Sequence, residues 1–96
     1  MYTVLKTDIF MEWFYGLRDN AVKNKIRLRL DRIAMGNLGD HHSIGDGVSE
    51  LRISYGPGYR LYYTLRGRKI IFLLCGGDKS SQKQDIKKAK ELNKKV

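Results

Sequence analysis

Residues 59–66, Tyr-Arg-Leu-Tyr-Tyr-Thr-Leu-Arg, alternate two kinds of side chain with a period of two. Successive side chains of a strand point to opposite faces. A strand therefore puts Tyr59, Leu61, Tyr63 and Leu65 on one side, and Arg60, Tyr62, Thr64 and Arg66 on the other. Gly56-Pro57-Gly58 before it and Arg66-Gly67-Arg68 after it supply turns. Consecutive strands are expected at about 48–55, 59–66 and 69–76. The last, Ile70 to Cys75, is apolar without alternation, so both of its faces need cover and it belongs in the centre. A further short strand over residues 2–6 is placed on its open edge, which gives a sheet order of 2-3-4-1. One side of this sheet is apolar and the other carries arginine and tyrosine, a surface that suits a polyanion with stackable bases.

Two helices are expected before the meander. Asp8 is the anticipated cap of the first, and Ile9, Phe10, Trp13, Phe14 and Leu17 form its apolar stripe. The second runs from about Asn20 to Met35, stops at Gly36, and turns Val22, Ile26, Leu30 and Ile33 inward. Lys25, Arg29 and Arg32 share another of its faces, either as a solvated stripe or as a partner contact. Residues 36–47 look like a long glycine-rich surface loop holding Asp40, His41, His42 and Asp46. Adjacent histidines ligate one ion poorly and no cysteine joins them, so neither a metal nor another cofactor is expected. A loop histidine near RNA is instead a candidate proton carrier. Asp78-Lys79-Ser80-Ser81 opens a lysine-rich C-terminal helix whose thin seam of Ile86, Ala89 and Leu92 predicts weak docking. The expected fold is α+β, β-α-α-β-β-β-α, a four-stranded, mainly antiparallel sheet on a helical hairpin in one domain, 1–96.

The formal charge of +9 directs this chain towards anionic partners, and 42% hydrophobic residues favour a globule over a basic tail. Cys75 is the only cysteine, set among Ile71, Phe72, Leu73 and Leu74, so it reads as an inert buried thiol in a reducing compartment. The N-terminus shows no secretory pattern, and no apolar run approaches bilayer length. A cytoplasmic protein without membrane contact is expected.

Short motifs spanning nearly the whole chain carry a family likeness. They are Trp13-Phe14 with Leu17-Arg18-Asp19, Arg29-Leu30-Asp31-Arg32 with Gly36-Asn37-Leu38-Gly39-Asp40, and Gly45-Asp46-Gly47-Val48 with Glu50-Leu51-Arg52. Gly56-Pro57-Gly58-Tyr59-Arg60 with Tyr62-Tyr63, and Leu74-Cys75-Gly76-Gly77-Asp78-Lys79, complete the set. The combination resembles the RelE/ParE superfamily of toxins from toxin–antitoxin modules, above all its HigB-like, phage-related addiction-module killer proteins. The resemblance implies a toxin neutralised by a helix-turn-helix antitoxin. Many such toxins are ribosome-dependent endoribonucleases that cut mRNA without metal and leave 2′,3′-cyclic phosphates. The ParE branch instead inhibits DNA gyrase, and an inactive remnant would only bind antitoxin.

Arg60 matches the arginine that RelE-like toxins set against the scissile phosphate, and Lys79 matches the basic position after the last strand. Arg52 is the expected cross-sheet neighbour of Arg60. These three are the catalytic candidates, although Arg60 can also pair with Glu50 or Asp78, Arg52 with Glu50, and Lys79 can be a solvated charge. Tyr62 is the candidate for base stacking, and Arg66, Arg68, Lys83, Lys25 and Arg29 are candidate RNA contacts. Many relatives carry a C-terminal tyrosine or histidine for proton transfer, whereas Gln82 to Ile86 here has neither. Asp85, His41 and His42 are the substitutes on offer.

Overall fold

The computed structural model describes residues 1–96. Its elements are β1 (Thr3–Lys6), α1 (Asp8–Tyr15), α2 (Asn20–Ala34), β2 (His41–Gly45), β3 (Val48–Ile53), β4 (Tyr59–Arg66), β5 (Ile70–Asp78), a 3-10 turn (Lys79–Ser81) and α3 (Gln82–Asn93). The α+β class agrees with the sequence, but the sheet has five strands rather than four, ordered β1-β5-β4-β3-β2. The addition is β2, formed from residues expected to be an open loop. Asp46 and Gly47 have φ of 55° and 76°. Two successive left-handed residues make the tight hairpin turn whose twist matches its flanking strands. The turn folds β2 onto β3, pairing His41 with Leu51 and His42 with Glu50.

The other strands take their expected neighbours. β3, β4 and β5 are antiparallel in sequence, and β1 joins the far edge of β5 in parallel. Thr7, rather than Asp8, caps α1. Its Oγ1 accepts from the Phe10 amide at 3.0 Å and donates to the Leu74 carbonyl at 2.6 Å, which ties the helix start to the central strand. α2 stops at Gly36 (φ 101°), where the Gly36 and Asn37 amides return to the Ile33 and Arg32 carbonyls. That paired bonding is the usual left-handed helix ending.

The two sheet faces have separate cores. Phe10, Phe14, Val22, Ile26 and Ile33 from the helical hairpin pack on Leu51, Ile53, Leu61, Tyr63, Ile71 and Leu73. On the opposite face α3 lays Ala89, with Ile86 and Leu92, over Val48, Tyr62, Leu74 and Cys75. The arginine–tyrosine face is therefore not open, because α3 covers its middle. The far end of this helix is also held by polar contacts, contrary to the weak docking its composition suggests. Arg66 donates to the Asn93 carbonyl and side-chain oxygen and to the Val96 carbonyl, at 3.3, 3.3 and 2.7 Å. Asn93 Nδ2 reaches the Asp46 carbonyl at 3.1 Å, and Lys90 pairs with the Asp46 carboxylate at 3.5 Å. No helix is long and apolar enough to cross a membrane.

Candidate functional site

Antiparallel register makes Arg52 and Arg60 direct cross-strand partners, with Gly77 of β5 on the other side of Arg60. Directly opposed side chains leave the sheet on the same face, with Cβ atoms about 5 Å apart. Two like charges there repel unless an anion lies between them. Glu50, one row along on the same face, provides it. Its Oε1 accepts from Arg52 Nε at 2.9 Å, and Arg52 Nη2 lies 2.9 Å from the same oxygen. Its Oε2 lies 3.5 Å from Arg60 Nε. That last contact is an ion pair without hydrogen-bond geometry, so Arg60 Nε and Nη1 and Glu50 Oε2 are all buried without a hydrogen-bond partner. Glu50 is 2% exposed, whereas the Arg60 and Arg52 side chains are 12% and 41% exposed. The row thus contains a shielded guanidinium with unused donors, an accessible guanidinium, and a shared buried carboxylate.

The next row pairs Glu50 with Tyr62, and Tyr62 with Cys75. Tyr62 is 0% exposed, sealed beneath Ala89, which corrects its assignment as a stacking platform: neither ring face is available to a base. Its hydroxyl has no partner. Burial, followed by the nearby Asp85 and Glu50 charges, raises its pKa far above the tyrosine range. It therefore stays a neutral phenol and a potential proton donor. Burial likewise pushes the Cys75 thiol up to about 12, which removes it as a nucleophile.

Asp85 comes over this patch from the first turn of α3. A Cβ on Gly77 would collide with Asp85 Oδ2 and lie 2.9 Å from Ser81 Oγ, so these groups fill the side-chain space next to Arg60. Ser81 donates to Asp85 Oδ2, and the Cys75 thiol faces the Asp85 carbonyl at 3.7 Å. Lys79 flanks the patch just past the end of β5, anchored by its amide to the Gly58 carbonyl at 2.9 Å, with an exposed side chain outside every ion pair. His42 lies opposite Glu50 on β2, and its Nε2 is 3.0 Å from Asp40 Oδ1. His41 is exposed on the same edge strand, one residue over and so on the other face, with Nδ1 2.8 Å from the Gly39 carbonyl.

The remaining cations disperse. Arg29 works inside the fold: its guanidinium donates to the Arg52, Leu38 and Asp40 carbonyls at 2.7, 3.1 and 2.8 Å. Gly39 (φ 64°) lets it pass, since a Cβ there would sit 2.8 Å from the guanidinium. Desolvation lowers the Arg29 pKa, with Asp40 opposing the shift. These bonds occupy a guanidinium that the sequence offered to RNA. Lys25 is on the helical-hairpin side, over the Tyr55 ring at 4.9 Å, and lines a cationic groove of about 210 Å³ with Arg29, Arg32 and Ser54. Arg66 bonds the C-terminal segment through Nη2. Arg68 is exposed beyond it in the β4–β5 turn, eight residues along the chain from Arg60, whose six-residue separation from Arg66 already spans about 20 Å. Lys83 is exposed on α3.

Sequence reasoning named Glu50 only as an ion-pair partner, and the strand alternation that groups it with Arg52 was its available signal. The largest cavity, about 460 Å³, adjoins the patch between α1 and α3 and shares Gly77, Ser81 and Asp85 with it. Glu12, Asp78 and Asp85 outnumber Lys88 in its lining, so its net charge is negative and disfavours phosphate. An anion therefore has to approach along the Arg52–Lys79 side.

The Phage derived protein Gp49-like (DUF891) family matches residues 12–94, which takes in all of these groups. The chain is also 46% identical over 89 residues to an "Uncharacterized protein" of Haemophilus influenzae, covering 92% of this chain and 90% of that one. A match extending from α1 through α3 settles kinship: the chain belongs to the phage-derived Gp49-like family.

Proposed function

We propose that the protein is the toxin of a toxin–antitoxin pair, a RelE/HigB-type mRNA interferase acting at the ribosome. The observation that carries this is the Arg52–Arg60 register pair, whose guanidiniums share one buried carboxylate while Arg60 keeps unused donors. Cleavage by the 2′-hydroxyl builds charge on a pentavalent phosphate, and preorganised cations stabilise that charge far better than mobile water does. Glu50 holds the two guanidiniums in place before substrate arrives. Arg60 takes the non-bridging oxygens, and Arg52 and Lys79 bind the flanking backbone. A general base and acid contribute roughly 10²–10⁴-fold in such reactions. Asp85, in the side-chain space of Gly77, is the candidate base, the Tyr62 phenol is a donor held neutral, and the exposed His42–Asp40 pair is the alternative carrier. No metal enters the scheme. The cognate partner is a helix-turn-helix antitoxin, and the working compartment is the cytoplasm.

A second reading is supported by the same geometry. Arg60 is only 12% exposed and tied to Glu50, as suits a structural ion pair in a ParE-like inhibitor of DNA gyrase that cuts no RNA. A remnant that binds antitoxin alone would share that feature. Brief induction in cells separates the three. Arrest with translated mRNAs cut inside their coding regions supports the interferase. Arrest with intact transcripts and double-strand DNA breaks supports the gyrase reading, and unimpeded growth supports the remnant.

A further inference from the structure

The patch around Arg60 is closed by the protein's own C-terminal segment, and that segment is fastened unequally. At its far end α3 is held by buried Ala89, by Arg66 on Asn93 and Val96, and by Lys90 and Asn93 on Asp46. At its near end the cap residue Ser81 bonds no helix amide, and Lys83 and Gln84 are exposed. The near end nevertheless lies over the polar atoms that have no partner: Glu50 Oε2, Arg60 Nε and Nη1, and the Tyr62 hydroxyl. Buried polar groups are nearly always paired, and a cluster of orphans marks strain or an absent ligand. Only the missing side chain of Gly77 lets Asp85 and Ser81 settle there.

We propose that Ser81–Asp85 is a cover over an anion site, lifting about the Arg66–Asn93 clamp to admit a phosphodiester of single-stranded RNA to Arg60. This rests on Arg60 being a phosphate ligand, as argued above. In the closed form the orphaned donors have no protein partner. In the open form they meet the phosphate oxygens, so the ligand binds the open form alone. Apparent affinity then equals intrinsic affinity scaled by the open fraction, and any change that wedges the cover open tightens binding.

The probe is a fluorescent single-stranded RNA with 2′-O-methyl riboses, which cannot be cut, read by anisotropy at fixed salt with hydrogen exchange in parallel. Gly77→Ala places a methyl against Asp85. Ser81→Ala removes the Asp85 tether without changing charge, and covers the case in which the alanine wedge spoils the fold. Either variant is expected to bind at least about fivefold tighter than wild type. Exchange should rise over residues 82–86 while 89–93 stay protected. Unchanged or weaker binding by a folded Ser81→Ala variant, or uniform exchange along α3, overturns the cover. Arg60→Ala in the wild-type and Ser81→Ala backgrounds tests the underlying assumption. If it leaves RNA affinity unchanged in both, the phosphate site itself is wrong, a result distinct from failure of the cover alone.

Discussion

Glu50→Gln removes one charge without changing shape, at the point where both guanidiniums meet. Deleting one member of a buried ion pair costs about 3–5 kcal/mol, because the other charge is left desolvated. Arg52, at 41% exposed, is screened by water, so its share falls to the ~0–1 kcal/mol of a surface pair. Arg60, at 12% exposed, retains most of the penalty. The balance is a loss of roughly 2–4 kcal/mol. With about 0.2 kcal/mol/K of unfolding entropy for a domain of this size, the thermal midpoint falls by about 10–20 °C. Adding Arg60→Met removes the stranded charge, so the double variant should regain more than half of that loss. Scanning calorimetry or thermal circular dichroism reads both values. A Glu50→Gln midpoint within about 2 °C of wild type, equivalent to less than ~0.5 kcal/mol, refutes the idea that Glu50 holds Arg60.

Tyr62→Phe deletes a buried hydroxyl without a partner and should stabilise the fold by about 1 kcal/mol, raising the midpoint by ~5 °C. A fall would reveal a partner for that hydroxyl. Arg29→Lys keeps the charge but cannot span three carbonyls, so a loss of about 2–3 kcal/mol is expected, with faster amide exchange at Arg52, whose N–H bonds the Asp40 carbonyl. Wild-type exchange at Arg52 in that variant would contradict the bracing role. Cys75, with its thiol pushed up to about 12, should resist alkylation in the native protein and react only on unfolding. Rapid native alkylation at pH 8 would show that α3 opens far more widely than its near end.

The sequence carried β4 clearly, because alternation over residues 59–66 assigns each side chain to a face, and Leu61, Tyr63 and Arg60 all follow it. The non-alternating apolar run likewise placed β5 at the centre. β2 was missed because His41–Gly45 has little intrinsic strand preference and is ordered by pairing with β3. The Asp46-Gly47 dipeptide, between Ile44 and Val48, was the turn signal that could have revealed it. The strand faces brought Arg52 and Arg60 together, but could not show that α3 would cover Tyr62, since helix docking depends on packing far along the chain. Arg29 and Arg66 looked like surface cations because a sequence does not show unpaired carbonyls. Both are used to satisfy backbone oxygens at the ends of other elements.

The proposed interferase activity requires the Arg52–Arg60 pair to discharge an RNA linkage. Purified protein, treated with EDTA and then freed of it, is added to a reconstituted translation reaction with a defined mRNA, and the RNA ends are mapped chemically. Wild type should cut within the translated frame and leave 2′,3′-cyclic phosphates, and Arg60→Ala should fold normally yet cut at least about a hundredfold more slowly. Uncut mRNA with wild type, or undiminished cutting by Arg60→Ala, would rule out phosphate activation by this pair.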